Sequence, residues 1–109
     1  MQFIEDAMFD AEAIRDTSSH NSNGTDAYEL PVKTLIIQNT LDQIVTLQLQ
    51  GSRDNVNFFN VGNTFDVAAG AWYWQSCDTF FPFGRIVAQC AVAPTTGGLS
   101  VWCEKVRGG

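Results

Sequence analysis

The sequence predicts an all-β fold: an antiparallel β-sandwich or jelly-roll-like barrel, preceded by an N-terminal arm. Three observations carry this expectation. Apolar and polar residues alternate with period two in short runs from about Tyr28 onward. Clusters of turn formers separate the runs, among them Asn39-Thr40-Leu41-Asp42-Gln43, Gly51-Ser52-Arg53-Asp54-Asn55 and Ala93-Pro94-Thr95-Thr96-Gly97-Gly98. The runs recur at intervals of roughly 8–12 residues, the rhythm of a sandwich or jelly roll, and no helix of credible length interrupts them.

Charge divides the chain. Residues 1–29 hold seven acids against the single base Arg15, a balance of −6, whereas Leu30 to Gly109 hold five acids and five bases. We therefore divide the chain into an acidic arm and flexible connector (1–27), a β-sandwich body (28–107) and a short tail (108–109). In the arm, Phe3, Ile4, Ala7, Met8, Ala11 and Ile14 recur at three- and four-residue spacing. Two readings fit: a helix with acids at its dipole-favoured start, or an extended arm whose apolar side chains dock separately. Residues 16–27, DTSSHNSNGTDA, have almost no large apolar side chain and read as a connector unable to offset its ordering entropy.

The body reads strand by strand. Lys33–Gln38 places Leu35 and Ile37 on one face, with Pro31 just ahead, where a missing donor is tolerated. Ile44–Gln50 turns Val45, Leu47 and Leu49 inward and Thr46, Gln48 and Gln50 outward. Short strands follow at Phe58–Val61 and Thr64–Val67, then Trp72–Cys77. An aromatic loop, Asp78–Gly84, leads to Arg85–Ala91 and Leu99–Lys105.

Composition narrows the function. The length of 109 residues suits one domain. A sequence pI near 4.4 argues against a partner held by phosphate contacts, so no nucleic acid is expected. There is no run of 18 apolar residues and no basic start leading to an apolar stretch, so neither a membrane partner nor a secretory signal is expected. Asn23-Gly24-Thr25 matches a glycosylation sequon that would be inert without export. The odd cysteine count (Cys77, Cys90, Cys103) suits a reducing compartment and reads first as buried thiols. A hairpin centred near Thr96 and Gly97 would also set Cys90 opposite Cys103, within reach of a disulfide.

No cofactor or metal is expected. The cysteines lack the close pairing of zinc ligands, and Asp42, Asp54 and Asp78 follow no calcium-ligand spacing. Catalysis is discounted because the single histidine, His20, lies in the connector and no catalytic residue set is legible. The aromatic set is the remaining candidate. Period two sends Trp72 and Trp74 to one face, and Trp102 points away from Leu99, Val101 and Cys103. Such a face suits core or subunit packing, or stacking on a sugar ring.

Two stretches, PVKTLIIQNTLDQIVTLQLQGSRDNVNFFNVG (31–62) and FPFGRIVAQCAVAPTTGGLSV (81–101), resemble small virion proteins of tailed bacteriophages, of the capsid-decoration or tail-accessory type. The resemblance covers about half the chain and consists of strands and turns, so no functional residue transfers with it. It implies a jelly-roll-like module made in the host cytoplasm and carried on the virion. It also implies a homo-oligomer, a trimer in the favoured form, contacting phage capsid or tail proteins. On this reading the chain is a capsid decoration (cement) subunit whose arm reaches a neighbour through Phe3, Ile4, Met8, Phe9 and Ile14. The alternatives are a carbohydrate-binding tail or fibre module using Trp72, Trp74 and Trp102, or a tail-tube or connector subunit. If the arm were separate, removing residues 1–16 would leave a folded body.

Overall fold

The computed structural model describes residues 2–24, 32–77 and 81–107, with the backbone alone at 2–4, 32–33, 77 and 106–107. The described strands are β1 (Gln2–Glu12), β2 (His20–Asn21), β3 (Val32–Asn39), β4 (Val45–Ser52), β5 (Phe59–Asn60), β6 (Phe65–Val67), β7 (Trp72–Cys77), β8 (Phe83–Gln89) and β9 (Leu99–Arg107). They form two antiparallel sheets, ordered β1-β9-β3-β7 and β2-β8-β4-β5, with β6 also pairing with β4. Except from β4 through β6, each strand is followed by one in the opposite sheet. That interleaving is the order of a double-sheet jelly roll. Among the described residues, no helix is long and apolar enough to cross a membrane.

The core lies between the sheets, and the strand alternation explains it. Leu35 and Ile37 of β3 and Leu99, Val101 and Cys103 of β9 face Val45, Leu47 and Leu49 of β4 and Ile86 and Ala88 of β8. All are buried, while their immediate neighbours along each strand are half-buried or exposed.

The first strand belongs to this core, which corrects the reading of residues 1–27 as an arm. β1 pairs with β9 from Gln2↔Arg107 to Glu12↔Leu99. Met8, Phe9 and Ile14 are buried in the core of their own chain. Phe3 and Ile4 pair through their backbones with Val106 and Lys105, and their side chains lie outside the described residues. The helical spacing of the apolar residues has a physical source. The β1–β9 register shifts between Ala7 and Phe9 and again between Phe9 and Glu12, and Ala11 adopts φ +50°. A bulge inserts a residue and breaks period two, letting adjacent Met8 and Phe9 both reach the interior. The boundary between residues 27 and 28 lies outside the described residues.

The connector is likewise tied down on its described side. His20 and Asn21 pair with Ala88 and Val87 of β8. Buried Ser22 donates its N–H to the Ile86 carbonyl (2.8 Å), and its hydroxyl accepts from the Ile86 N–H (2.8 Å). Asn23 N–H donates to the Met8 carbonyl (3.1 Å), linking the connector to β1. Lys105, only 1% exposed, donates from Nζ to the Asp6 carboxylate at 2.7 Å. A buried ammonium needs such a partner, so this pair also holds β1 to β9.

Cys90 and Cys103 are both buried, as the first reading of the cysteines has it, and the alternative of a Cys90–Cys103 bridge is not formed. The chain crosses from one sheet to the other between β8 and β9, so the two strands never make the hairpin that would have paired them. Burial, then the charges of Asp16 and Asp42, push the Cys90 thiol above its usual pKa. The Cys77 side chain lies outside the described residues.

One end of the sandwich is fastened where β3 ends, at Asn39 and Thr40. Asn39 is fully buried; its Nδ2 donates to the carbonyls of Gln43, Val67 and Ala68 at 3.1–3.2 Å, and its Oδ1 accepts from the Leu41 N–H at 3.0 Å. Thr40 N–H donates to the Gly98 carbonyl (2.9 Å), and Gly98 N–H donates back to Thr40 Oγ1 (2.9 Å). The approach is close enough to require glycine at position 97, where φ is +85° and a Cβ would fall 1.8 Å from the Thr40 carbonyl oxygen.

Two outcomes follow for stability. Phe9→Ala should cost about 3–5 kcal/mol and Ile14→Ala about 2–5. Total stabilities are typically about 5–15 kcal/mol. Deleting residues 1–16 should therefore abolish cooperative unfolding, monitored by circular dichroism; a truncated chain melting like the full one would refute the assignment of β1 to the core. Gly97→Ala, which meets both the left-handed φ and the Thr40 carbonyl, should cost about 3 kcal/mol or more in a denaturant titration.

Candidate functional site

The outer face of the four-stranded sheet gathers the exposed aromatics. Strand geometry sends Trp72, Trp74 and Ser76 of β7 outward, beside Thr34, Ile36 and Gln38 of β3 and Ser100, Trp102 and Glu104 of β9. The register aligns them in rows across the sheet. Trp72, Gln38 and Ser100 form one row, and Trp74, Ile36, Trp102 and Ala7 the next. Ser76, Thr34, Glu104 and Glu5 form the third.

Trp72 and Trp74 are 63% and 68% exposed, high for such large apolar side chains. Trp72 stacks on Trp102 diagonally across β3, with centroids 6.2 Å apart and planes 20° from parallel. Tyr73 takes the opposite side of β7 and stacks on Phe65 of β6 at 5.3 Å. The structure thus brings Trp72 and Trp102 together with Trp74 beside them, while Met8, Phe9 and Ile14 lie in the interior. Ile36 is the member that the sequence reading left out. Its signal was the odd parity within Leu35-Ile36-Ile37, where an apolar residue falls on the outward side.

At the far corner of this face, Glu5 and Glu104 are direct cross-strand neighbours. A side-chain hydrogen bond with Glu5, aided by burial and the charge of Glu5, raises the Glu104 carboxyl above its usual value. Like charges placed opposite on adjacent strands oppose pairing, so the proton is held where it relieves that repulsion.

Two clefts lie elsewhere. One of about 360 Å³ is lined by Arg53, Asp54, Asn57 and Phe59, and one of about 220 Å³ by residues that include Gln43, Ile44 and Asp66. Neither gathers a nucleophile, a base and an orienting acid. The first is walled by Phe59, which meets Phe81 edge-on at 4.8 Å. Asp54 is committed to its own turn. It accepts from the N–H groups of Asn57 (2.8 Å) and Val56 (2.9 Å), the Asn57 amide (2.9 Å) and the Ser52 hydroxyl (3.0 Å), which hold its carboxyl well below the usual range. Asp42 accepts from the Thr95 hydroxyl and N–H, which lower it as well. Asp16 is lowered chiefly by His20, whose Nε2 lies 2.8 Å away, and by Ser18. Among the described residues, no three His, Cys, Asp or Glu side chains are grouped to hold a metal ion. Asp78 lies outside the described residues.

No protein-family model matches the sequence, and no curated protein matches it. Solved structures do. The fold is similar to that of the PBSX exported protein XepA (TM-score 0.72, 14% identity, 97% of this chain), of which it spans 38%. It is also similar to a structure of the Bacillus endospore appendages described as disulfide-linked pili (TM-score 0.61, 13% identity, 97% of this chain and 89% of that one). A third is the SPBc2 prophage-derived protein YomS (TM-score 0.51, 11% identity, 95% and 96%). The likeness is one of fold.

The carboxyl shifts give a pH profile. Glu104, raised from 4.5, binds its proton more tightly folded than unfolded, so stability should grow as pH falls through the range just above 4.5. Asp16, Asp42 and Asp54, lowered from 3.8, should withdraw stability as pH falls below that value. The melting temperature should therefore peak at mildly acidic pH. Glu104→Gln should flatten the approach from neutral pH and leave the acid limb intact, a comparison read by calorimetry across pH.

Proposed function

We propose that this chain is a non-enzymatic structural protein of a phage particle, a capsid decoration subunit that docks through the Trp72–Trp74–Trp102 face. The observation that carries the reading is that face: three tryptophans gather on the outer side of the four-stranded sheet, two of them largely exposed. A large exposed aromatic patch marks an interaction surface, and tryptophan is enriched among the residues that dominate interface energy. The similar folds support the setting, since YomS is named as prophage-derived and the endospore appendages are described as pili. Their low identity leaves the role on the particle to experiment.

With β1 built into the core, the aromatic face replaces the arm as the contact with the shell. Each copy contributes a modest patch, and repetition over a shell multiplies it. Full-length protein should cosediment with shells of the phage that encodes it. Trp74→Ala, at an exposed position, should keep the melting temperature and weaken shell binding by about tenfold or more. Unchanged binding by this variant would reject the docking face.

The competing reading is a carbohydrate-binding module on the same side chains, favoured by the outward Trp74 ring beside the Trp72–Trp102 stack. Reproducible glycan-array hits that Trp102→Ala abolishes would establish it over shell docking.

A further inference from the structure

Sheet edges are the places where a β-protein recruits another strand, and most of the edges here are blunted. The second sheet ends in β2 on one side and in β5 on the other, each two residues long, and β6, which also pairs with β4, has three. The first sheet ends on one side in β1, which carries Glu5, Asp6, Asp10 and Glu12, two register shifts and a left-handed residue at Ala11. Short length, bulges and charge are the standard protections against edge pairing.

β7 has none of these protections. Its six residues, Trp72-Tyr73-Trp74-Gln75-Ser76-Cys77, include no charge and no proline. They pair with β3 in unbroken register from Lys33↔Cys77 to Gln38↔Trp72. Among the described residues, no strand pairs with its other side. We propose that this edge is the self-association surface of the protein: β7 of one copy adds antiparallel to β7 of a second copy, joining their first sheets into one.

The occupant follows from the edges and the charges. As β7 is the one regular, unprotected edge described, a copy can offer only its own β7 in return, and a strand paired with itself is related by a two-fold axis. With the axis at Tyr73, Trp72 lies opposite Trp74 of the second copy, and the indoles flank the seam on the outer face. Charge favours the same arrangement. The acidic strand β1 lies at the opposite edge of its sheet. Joining at β7 sets the two β1 strands seven strand spacings apart, about 34 Å, several times the Debye length of about 8 Å at physiological salt. Joining at β1 would bring eight acids together. The tryptophans supply roughly 150–250 Å² each when fully buried, which places the contact at the small, reversible end of interface sizes. Repetition on a particle would consolidate a contact of that size.

The inference deepens the proposed role, since it rests on reading the aromatic face as a protein interface and names one partner at its edge. Native mass spectrometry of the full-length protein should show dimers or even-numbered assemblies that dissociate on dilution. Hydrogen exchange should slow across residues 72–77 as concentration rises. Trp74→Lys should weaken association by about tenfold or more with an unchanged melt. Ser76→Lys, at a second exposed position on the strand, should do the same should the first variant fail to fold. A monomer at the highest soluble concentration, a trimer, or an oligomer whose 72–77 amides gain no protection would overturn the proposal. Dimers that fail to bind shells would instead reject the decoration role and leave the self-pairing intact.

Discussion

The pairing of the first strand with the last is the constraint on which the sandwich depends. β9 sits inside its sheet only because β1 covers one side of it and β3 the other. Without β1, the backbone of Leu99–Arg107 would form a long edge, and the buried row of Leu99, Val101 and Cys103 would lose the cover of Met8 and Phe9. The Asp6–Lys105 ion pair makes the dependence steeper, because removing β1 takes away a carboxylate that holds a nearly buried ammonium. Since consecutive strands mostly lie in opposite sheets, this closure joins residues about as far apart in sequence as the chain allows. Such non-local pairing predicts slow folding, as loop-closure entropy must be met before the contacts reward it.

Rigidity at the ends of the roll comes from small polar side chains that satisfy buried backbone groups. Asn39 does this for two turns at once, and Thr40 with Gly98 locks the approach to β9. At the other end, Ser52 and Asp54 organise the turn after β4 in the same way. None of these groups is in a position to do chemistry, because their lone pairs and protons already serve the backbone.

The surface carries an asymmetry that the fold turns into a division of labour. Acids concentrate in β1 at one edge of the first sheet, and neutral aromatics concentrate at β7 on the other. One edge carries four acids, and the other, among the described residues, carries no charge and pairs on its outer side with no strand. The charge gradient along the sequence thereby becomes a gradient across a sheet, with the aromatic face on the uncharged side.

Much of the body was legible in the residues themselves. Strict alternation in Val45–Gln50 and Leu99–Lys105, and the turn formers between runs, specify strands and inward faces because the pleat has a period of two. Trp72–Cys77 was bounded correctly for the same reason. The outward placement of Trp72 and Trp74 could be read locally, but their convergence with Trp102 needs the β7-β3-β9 order, which no local pattern encodes. The role of residues 2–14 was decided only by tertiary structure. Two bulges gave a strand the apolar spacing of a helix, and its acids, set along an edge, gave it the composition of a solvated arm. Strand identity is a property of successive residues, whereas strand neighbours are chosen by which buried surfaces fit together, and that choice is made across the whole chain.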